Sequence, residues 1–244
     1  MGKLQDKVAL VTGGGSGVGL ATARLFLEEG ARVAIAGRDP DKLRKAAEAL
    51  AGGDHLLAHP ADVTNAAQVK VLVERVTDRF GPVDILVNNA GTNLKARKLR
   101  ELTPETWQQL VRTNLDGAFY CMQALLPQML KRCDGLIINI NSISGKRAYP
   151  LAGAGYAAGK FGLHALAACL ANEELESGIR VSSIYPGEID TPILEARPTP
   201  VTPEQRAKIL KAEDVAQAVL FVATLPSSVS IPELVIKPTS QSYF

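Results

Sequence analysis

Little in this chain points to a strongly charged partner or to a membrane. Its 27 Lys and Arg against 25 Asp and Glu leave a formal charge of +2, with the two signs interleaved. That balance offers neither a basic face for nucleic acid nor a polybasic membrane patch. Long apolar runs are missing too: none reaches the ~20 residues a membrane-spanning helix needs. The opening Met1-Gly2-Lys3-Leu4-Gln5-Asp6 has no apolar signal core, and Asp6 stands where a myristoylation motif wants Ser or Thr. A cytoplasmic protein is expected. Cysteine is scarce, with only Cys121, Cys133 and Cys169. An odd, widely spaced set makes neither a disulfide framework nor a zinc site, so no metal is implied. Their helical, apolar neighbourhoods predict buried, reduced thiols.

Apolar residues are plentiful, at 46% of 244 residues. A chain of this length buries a core without staples and suits one domain over residues 1–244. Short β-branched runs alternate with longer helical stretches. Strands are expected at 8–11, 32–36, weakly at 55–58, and at 85–87, 136–140, 179–184 and 234–236. Helices are expected at 18–29, 41–50, 65–79 (with Asn65 as cap), 103–131, 155–176 and 213–225. Pro104 suits a first helical position, and Pro127 predicts a kink in the long fourth helix. Continuous apolar strands between helices imply an α/β, doubly wound parallel sheet of about seven strands with helices on both faces. Ligands of such sheets sit at the carboxyl ends of the strands. Four prolines between Thr191 and Pro203 mark the least regular stretch. A substrate loop over about 188–210 fits there, and so does a plain structural connection.

Thr12-Gly-Gly-Gly-Ser-Gly-Val-Gly19 lies between the first strand and the first helix. Gly13 permits a tight turn, and Gly17 and Gly19 let backbone approach a pyrophosphate at a helix N-terminus, with Gly15, Ser16 and Val18 in the same turn. Strand, glycine turn, helix and strand in sequence is the Rossmann-type context of a dinucleotide site. No Gly-Lys-Ser/Thr ending is present, which argues against a triphosphate loop. At the end of the second strand stands Ala36-Gly37-Arg38-Asp39. Arg38 supplies a donor fork suited to a 2′-phosphate and favours NADP(H) over NAD(H). Asp39 either pairs with Arg38 or points to solvent, and an ordinary exposed charge remains the plain alternative for Arg38.

Tyr156 and Lys160 are four apart at the start of a helix and share a face. A free phenol has a pKa near ~10, and a neighbouring ammonium lowers it toward a value useful for proton transfer. Ser142 ends a buried strand, where its hydroxyl can polarise a carbonyl; turn formation, shared with Ser144, is the alternative. Asn114 is a poor helix former inside the long helix, which points to a polar network or to a solvent-facing side chain.

Taken in order, Thr12-Gly13…Gly17-Val-Gly19, Asp62-Val63, Asn88-Asn-Ala-Gly91, Asn114, Ser142, Tyr156…Lys160 and Pro186-Gly187…Thr191 resemble the short branch of the short-chain dehydrogenase/reductase family nearly end to end. The resemblance implies an NADP(H)-dependent oxidoreductase acting on a carbonyl or alcohol. It implies Tyr156 as general acid/base and Lys160 on the nicotinamide ribose, with Ser142 on the substrate oxygen and Asn114 on a water leading to Lys160. Asp62 and Val63 would flank adenine; Asn88 to Gly91, with Asn89, Ala90 and Gly91 toward the cofactor, would support the central strand beside the adenosine ribose; Ile189 and Thr191 would approach the carboxamide, and Pro186 and Gly187 would also contact the cofactor. Gly159, Asn141 and an ending without Asp-Gly-Gly depart from the pattern. A catalytically silent cofactor-binding or regulatory protein is the competing reading, and an extended-branch epimerase or dehydratase a third. Leu94, Tyr149, Leu151, Pro186 and Glu188 are expected in the substrate wall. Arg97, Lys98 and Arg100 either attract an acidic substrate or form a solvated loop. Relatives pair the long helix and the Tyr156 helix into homodimers or homotetramers, and the alanines at 157, 158, 165, 167, 168 and 171 either permit that approach or face the sheet.

Overall fold

The computed structural model describes residues 2–242. Met1, and Tyr243 and Phe244 of the unusual ending, lie outside them. The chain runs β1 (Val8–Thr12), α1 (Gly17–Glu28), β2 (Arg32–Gly37), α2 (Pro40–Leu50), β3 (Leu56–Pro60), α3 (Ala66–Phe80) and β4 (Ile85–Asn88). It continues through α4 (Pro104–Val111), α5 (Gly117–Arg132), β5 (Gly135–Ile140), α6 (Ala154–Glu173) and β6 (Ile179–Pro186). The last stretch holds β7 (Ile189–Asp190), α7 (Pro203–Arg206), β8 (Leu210–Lys211), α8 (Ala212–Ala223) and β9 (Glu233–Ile236). Seven strands form one parallel sheet in the order β3-β2-β1-β4-β5-β6-β9. The order reverses between β1 and β4, where a doubly wound sheet opens a crevice at its carboxyl edge.

The apolar strand runs have a direct physical cause. In β1, Ala9 and Val11 join the core under α1, α2 and α8, while Val8 and Leu10 join the core under α3, α5 and α6. Both faces are covered, so neither alternates with polar residues. β3 is a half-buried border strand and begins later than its weak signal, because Gly53–His55 forms a short 3-10 turn first. Asn65 caps α3 as expected, accepting from the N–H groups of Ala67 and Gln68.

Two expectations need correction. The long fourth helix is interrupted at Arg112–Asp116, which is a π-helical turn, and α5 runs on through Pro127. Cys133 and Cys169 are exposed; only Cys121 is buried, and burial pushes its thiol up to about 12. The stretch 188–210 is tied at both ends by pairing of β7 with β8 and by Asp190, which bridges Arg206 at 2.6 Å and Lys211 at 3.0 Å. Gly159, which departs from the family pattern, lets α6 lie against the π turn: a Cβ there would meet that of Asn114 at 2.9 Å. Among the described residues, no helix is long and apolar enough to cross a membrane.

Candidate active site

The glycine turn is built by hydrogen bonds from the next strand of the crevice. Thr12 Oγ1 accepts from the backbone N–H of Asn89 at 3.0 Å and of Ala90 at 3.1 Å. Asn89 Nδ2 donates to the carbonyls of Thr12 at 2.9 Å and Gly13 at 3.2 Å. Gly13 (φ +65°) and Gly17 (φ +53°) occupy the left-handed region, which strains any side chain. Gly19 is needed for packing: a Cβ there would lie 2.5 Å from Gly13 O and 2.4 Å from Asn89 Nδ2. Asp39 and Asn65 cap α2 and α3 with their side chains, but Ser16 makes no such bond to α1, whose first turn also lacks an acidic residue. The N-terminal donors of α1 and the positive end of its dipole are therefore left for an anion.

A cavity of about 730 Å³ runs along this edge. Every residue expected to contact cofactor lines it except Gly19, which packs behind the turn. Ser142, Tyr156 and Lys160 line it as well; Asn114 and Leu94 do not. At its far end Arg38 is joined by Asp39 and by Lys42, a cation the sequence reading passed over. Asp39 neither pairs with Arg38 nor stays free: its carboxylate accepts from Lys42 N at 3.0 Å and caps α2. Asp62 turns back on its own loop, accepting from Thr64 N and Thr64 Oγ1 at 2.9 Å. Helix N–H donors near two cations form a donor set that fits the pyrophosphate and a 2′-phosphate of a dinucleotide.

At the other end, α6 carries Tyr156 in its first turn and Lys160 one turn on. Lys160 Nζ donates to Ile140 O at 2.8 Å and lies 5.8 Å from the Tyr156 ring centroid. Burial lowers the Lys160 amine to about 8. Burial likewise pushes the Tyr156 phenol up to about 12; a Ser142 hydrogen bond opposes this, Tyr149 adds to it, and the Arg97 charge opposes it. Burial, not the nearby ammonium, dominates the phenol here. The Lys160 amine is turned to a carbonyl, and the cation acting on Tyr156 is Arg97.

Ser142 takes the turn-forming role, and its hydroxyl also faces Tyr156. It bonds Tyr156, and its Oγ accepts from Ser144 N at 3.1 Å, while Ser144 Oγ donates to Tyr149 OH at 3.4 Å. Asn141 fixes that turn to α6: Nδ2 donates to Lys160 O at 3.2 Å and Oδ1 accepts from Ser142 N at 2.9 Å. Asn114 is buried, so it is not solvent-facing. Its Nδ2 donates to Thr92 O and Leu110 O at 2.9 Å, and its Oδ1 accepts from Thr92 N at 3.1 Å.

The outer wall holds Tyr149, Leu151, Pro186 and Glu188, with Arg97, one of the three basic residues expected either to attract an acidic substrate or to be solvated, and with Arg197, which no motif marked. Arg97 is not solvated surface; it is buried by loops distant in sequence. Behind the wall, Gln241 Oε1 accepts from Glu188 N at 2.9 Å, so the unusual C-terminal segment supports the Pro186–Glu188 turn.

Comparison with known proteins agrees in kind. The short chain dehydrogenase family model matches residues 7–201. An uncharacterized oxidoreductase of Staphylococcus aureus (strain MW2) is 39% identical over 235 residues, 96% of this chain and 98% of that one. The closed form of a serine dehydrogenase complexed with NADP+ superposes with a TM-score of 0.87 at 32% identity, covering 97% of this chain and 96% of the other. A 3-ketoacyl-(acyl-carrier-protein) reductase from Brucella melitensis complexed with NADH gives 0.88 at 32% identity, covering 96% and 98%.

Proposed function

Because the chain belongs to the short chain dehydrogenase family, we propose that it is an NADP(H)-preferring oxidoreductase that interconverts a carbonyl compound and its alcohol, with Tyr156 as general acid/base. The carrying observation is the convergence of Ser142, Tyr156 and Lys160 on the same cavity as the uncapped N-terminus of α1. In that cavity the cofactor's nicotinamide supplies or accepts the hydride. Similar structures hold both NADP+ and NADH, so the preference rests on this chain's own residues. Arg38 and Lys42 favour a 2′-phosphate, and Asp39 is withdrawn from the ribose by its capping bond.

With its pKa near 12, Tyr156 holds its proton at neutral pH and is a proton donor to a developing alkoxide. Ser142 donates toward the same oxygen and positions it. Lys160, partly protonated near its pKa of about 8, would offer its remaining N–H donors to the ribose of a bound cofactor. Asn114 and Asn141 hold these groups in register. A silent cofactor-binding protein on this fold is the weaker reading, since Asn114, Ser142, Tyr156 and Lys160 are all present.

We extend the proposal to a cytoplasmic homodimer or homotetramer through α4, α5 and α6. Trp107, Phe119 and Phe161 are each about two-fifths exposed on these helices, and Ala165 and Ala168 are exposed beside them, whereas Ala157 and Ala167 face inward. Sedimentation at micromolar concentration checks this, and a monomer alone contradicts it. The function itself is tested by a panel of ketones and aldehydes with NADPH and NADH in parallel. Oxidation of NADPH in preference to NADH is expected with at least one carbonyl class; no oxidation of either across the panel overturns it.

A further inference from the structure

Arg97 stands on the loop after β4 and lines the substrate end of the cavity at only 5% exposure. Three backbone carbonyls from three separate segments hold its guanidinium. Nε donates to Leu94 O and Nη1 to Leu151 O, each at 2.7 Å, and Nη2 donates to Ala196 O. Gly153 (φ +82°) packs against it so closely that a Cβ there would lie 2.6 Å from Arg97 Cβ. The side chain is therefore fixed before any substrate arrives.

What this arrangement lacks is a counter-charge. Among the described residues, no carboxylate forms an ion pair with Arg97. Glu101 Oε2 meets Arg97 only at its backbone N–H, at 3.2 Å, and accepts from Lys98 N as well. Glu188 on the same wall pairs with Arg197 at 3.0 Å, so those two charges cancel; Glu195 also lines the cavity but is exposed. A guanidinium has five N–H donors, and the three carbonyls use three, which leaves one on each Nη nitrogen. Burying a cation without an opposite charge is unfavourable, and Arg197 nearby repels it further. Arg97 and Tyr156 line the same cavity, and the Arg97 charge reaches the Tyr156 phenol.

Resting on the oxidoreductase reading above, we propose that the substrate carries a carboxylate near its carbonyl or alcohol carbon, and that Arg97 is the specificity-determining residue that receives it. A planar carboxylate matches the spare N–H donors and supplies the missing charge. The dipole of the backbone carbonyls alone orients the cation without neutralising it.

The test uses 2-, 3- and 4-keto acids, each paired with its own methyl ester, on the NADPH-bound protein. The acid of at least one pair is expected to exceed its ester in kcat/KM by about 30-fold or more, the scale of a buried, hydrogen-bonded charge pair. In Arg97→Met the acid-to-ester ratio is expected to fall to near one, with Arg97→Lys between. Fluorescence titration of bound NADPH with the same pairs reads the preference without turnover. Should Arg97→Met not fold, the wild-type pairs still decide. Esters turned over and bound as well as their acids in every pair overturn the proposal while leaving the oxidoreductase reading intact. A phosphate-bearing ketone preferred over all the keto acids overturns the carboxylate assignment. Acid-selective binding with no turnover of any pair supports the proposal and counts against the oxidoreductase reading.

Discussion

At the cofactor end of the cleft the wall is largely backbone: a turn with two residues in the left-handed region, the open N-terminus of α1, and side chains such as Thr12 and Asn89 that serve to lace main chain together. At the substrate end the wall is long side chains, Tyr149, Leu151, Arg97 and Arg197, brought from loops that are far apart in sequence. The first kind of wall leaves almost no freedom in residue choice, because added atoms collide with main chain. The second tolerates change and is where specificity resides. The two ends should therefore respond differently to substitution.

The largest difference is expected from Gly19→Val. A side chain there would press on Gly13 O and Asn89 Nδ2. Overpacking of this kind costs about 3 kcal/mol or more when the obstacle is backbone. Denaturant unfolding should show that loss, together with loss of NADPH binding by fluorescence titration. Unchanged stability and affinity would dissolve the contrast between the two walls.

Next comes Lys160, where the walls meet. Its amine titrates near 8 when folded against 10.5 as an ordinary lysine. Between those values the unfolded chain binds more protons, so stability rises with pH. The apo wild type should gain on the order of 3 kcal/mol relative to Lys160→Met from pH 8 to above pH 10.5. Parallel unfolding curves across that window would show that the amine is not desolvated.

Arg38→Ala should lower the NADPH-over-NADH ratio of kcat/KM by roughly 10- to 100-fold, the scale of hydrogen bonds to a charged group. An unchanged ratio would move the preference to Lys42 or remove it. The smallest effect belongs to the substrate wall. Leu151 is 40% exposed, so Leu151→Ala should alter stability by less than about 0.5 kcal/mol. NADPH affinity should hold while KM for the carbonyl changes. A shift in NADPH affinity as large as that of Gly19→Val would erase the division.

This division also explains what could be read from the chain alone. The sheet was legible because strands covered on both faces carry unbroken apolar runs, and the glycine turn because close backbone approach admits only glycine. Tyr156 and Lys160 were legible because one helical turn joins them. Arg97 was legible only as one of three basic loop residues, substrate-facing or solvated: its burial depends on Leu94, Leu151 and Ala196, two of them more than 50 residues away. The π turn at Arg112–Asp116 escaped notice because its residues are compatible with ordinary helix. Asp39 looked like a competitor for Arg38 until the start of α2 claimed its carboxylate.

The proton-transfer claim meets its most direct test in Tyr156→Phe, assayed with whichever carbonyl the wild type reduces best. Loss of the hydroxyl should lower kcat by about 10²- to 10⁴-fold, while NADPH binds within a few-fold of wild type. A variant that keeps kcat within tenfold of the wild type would show that another group delivers the proton.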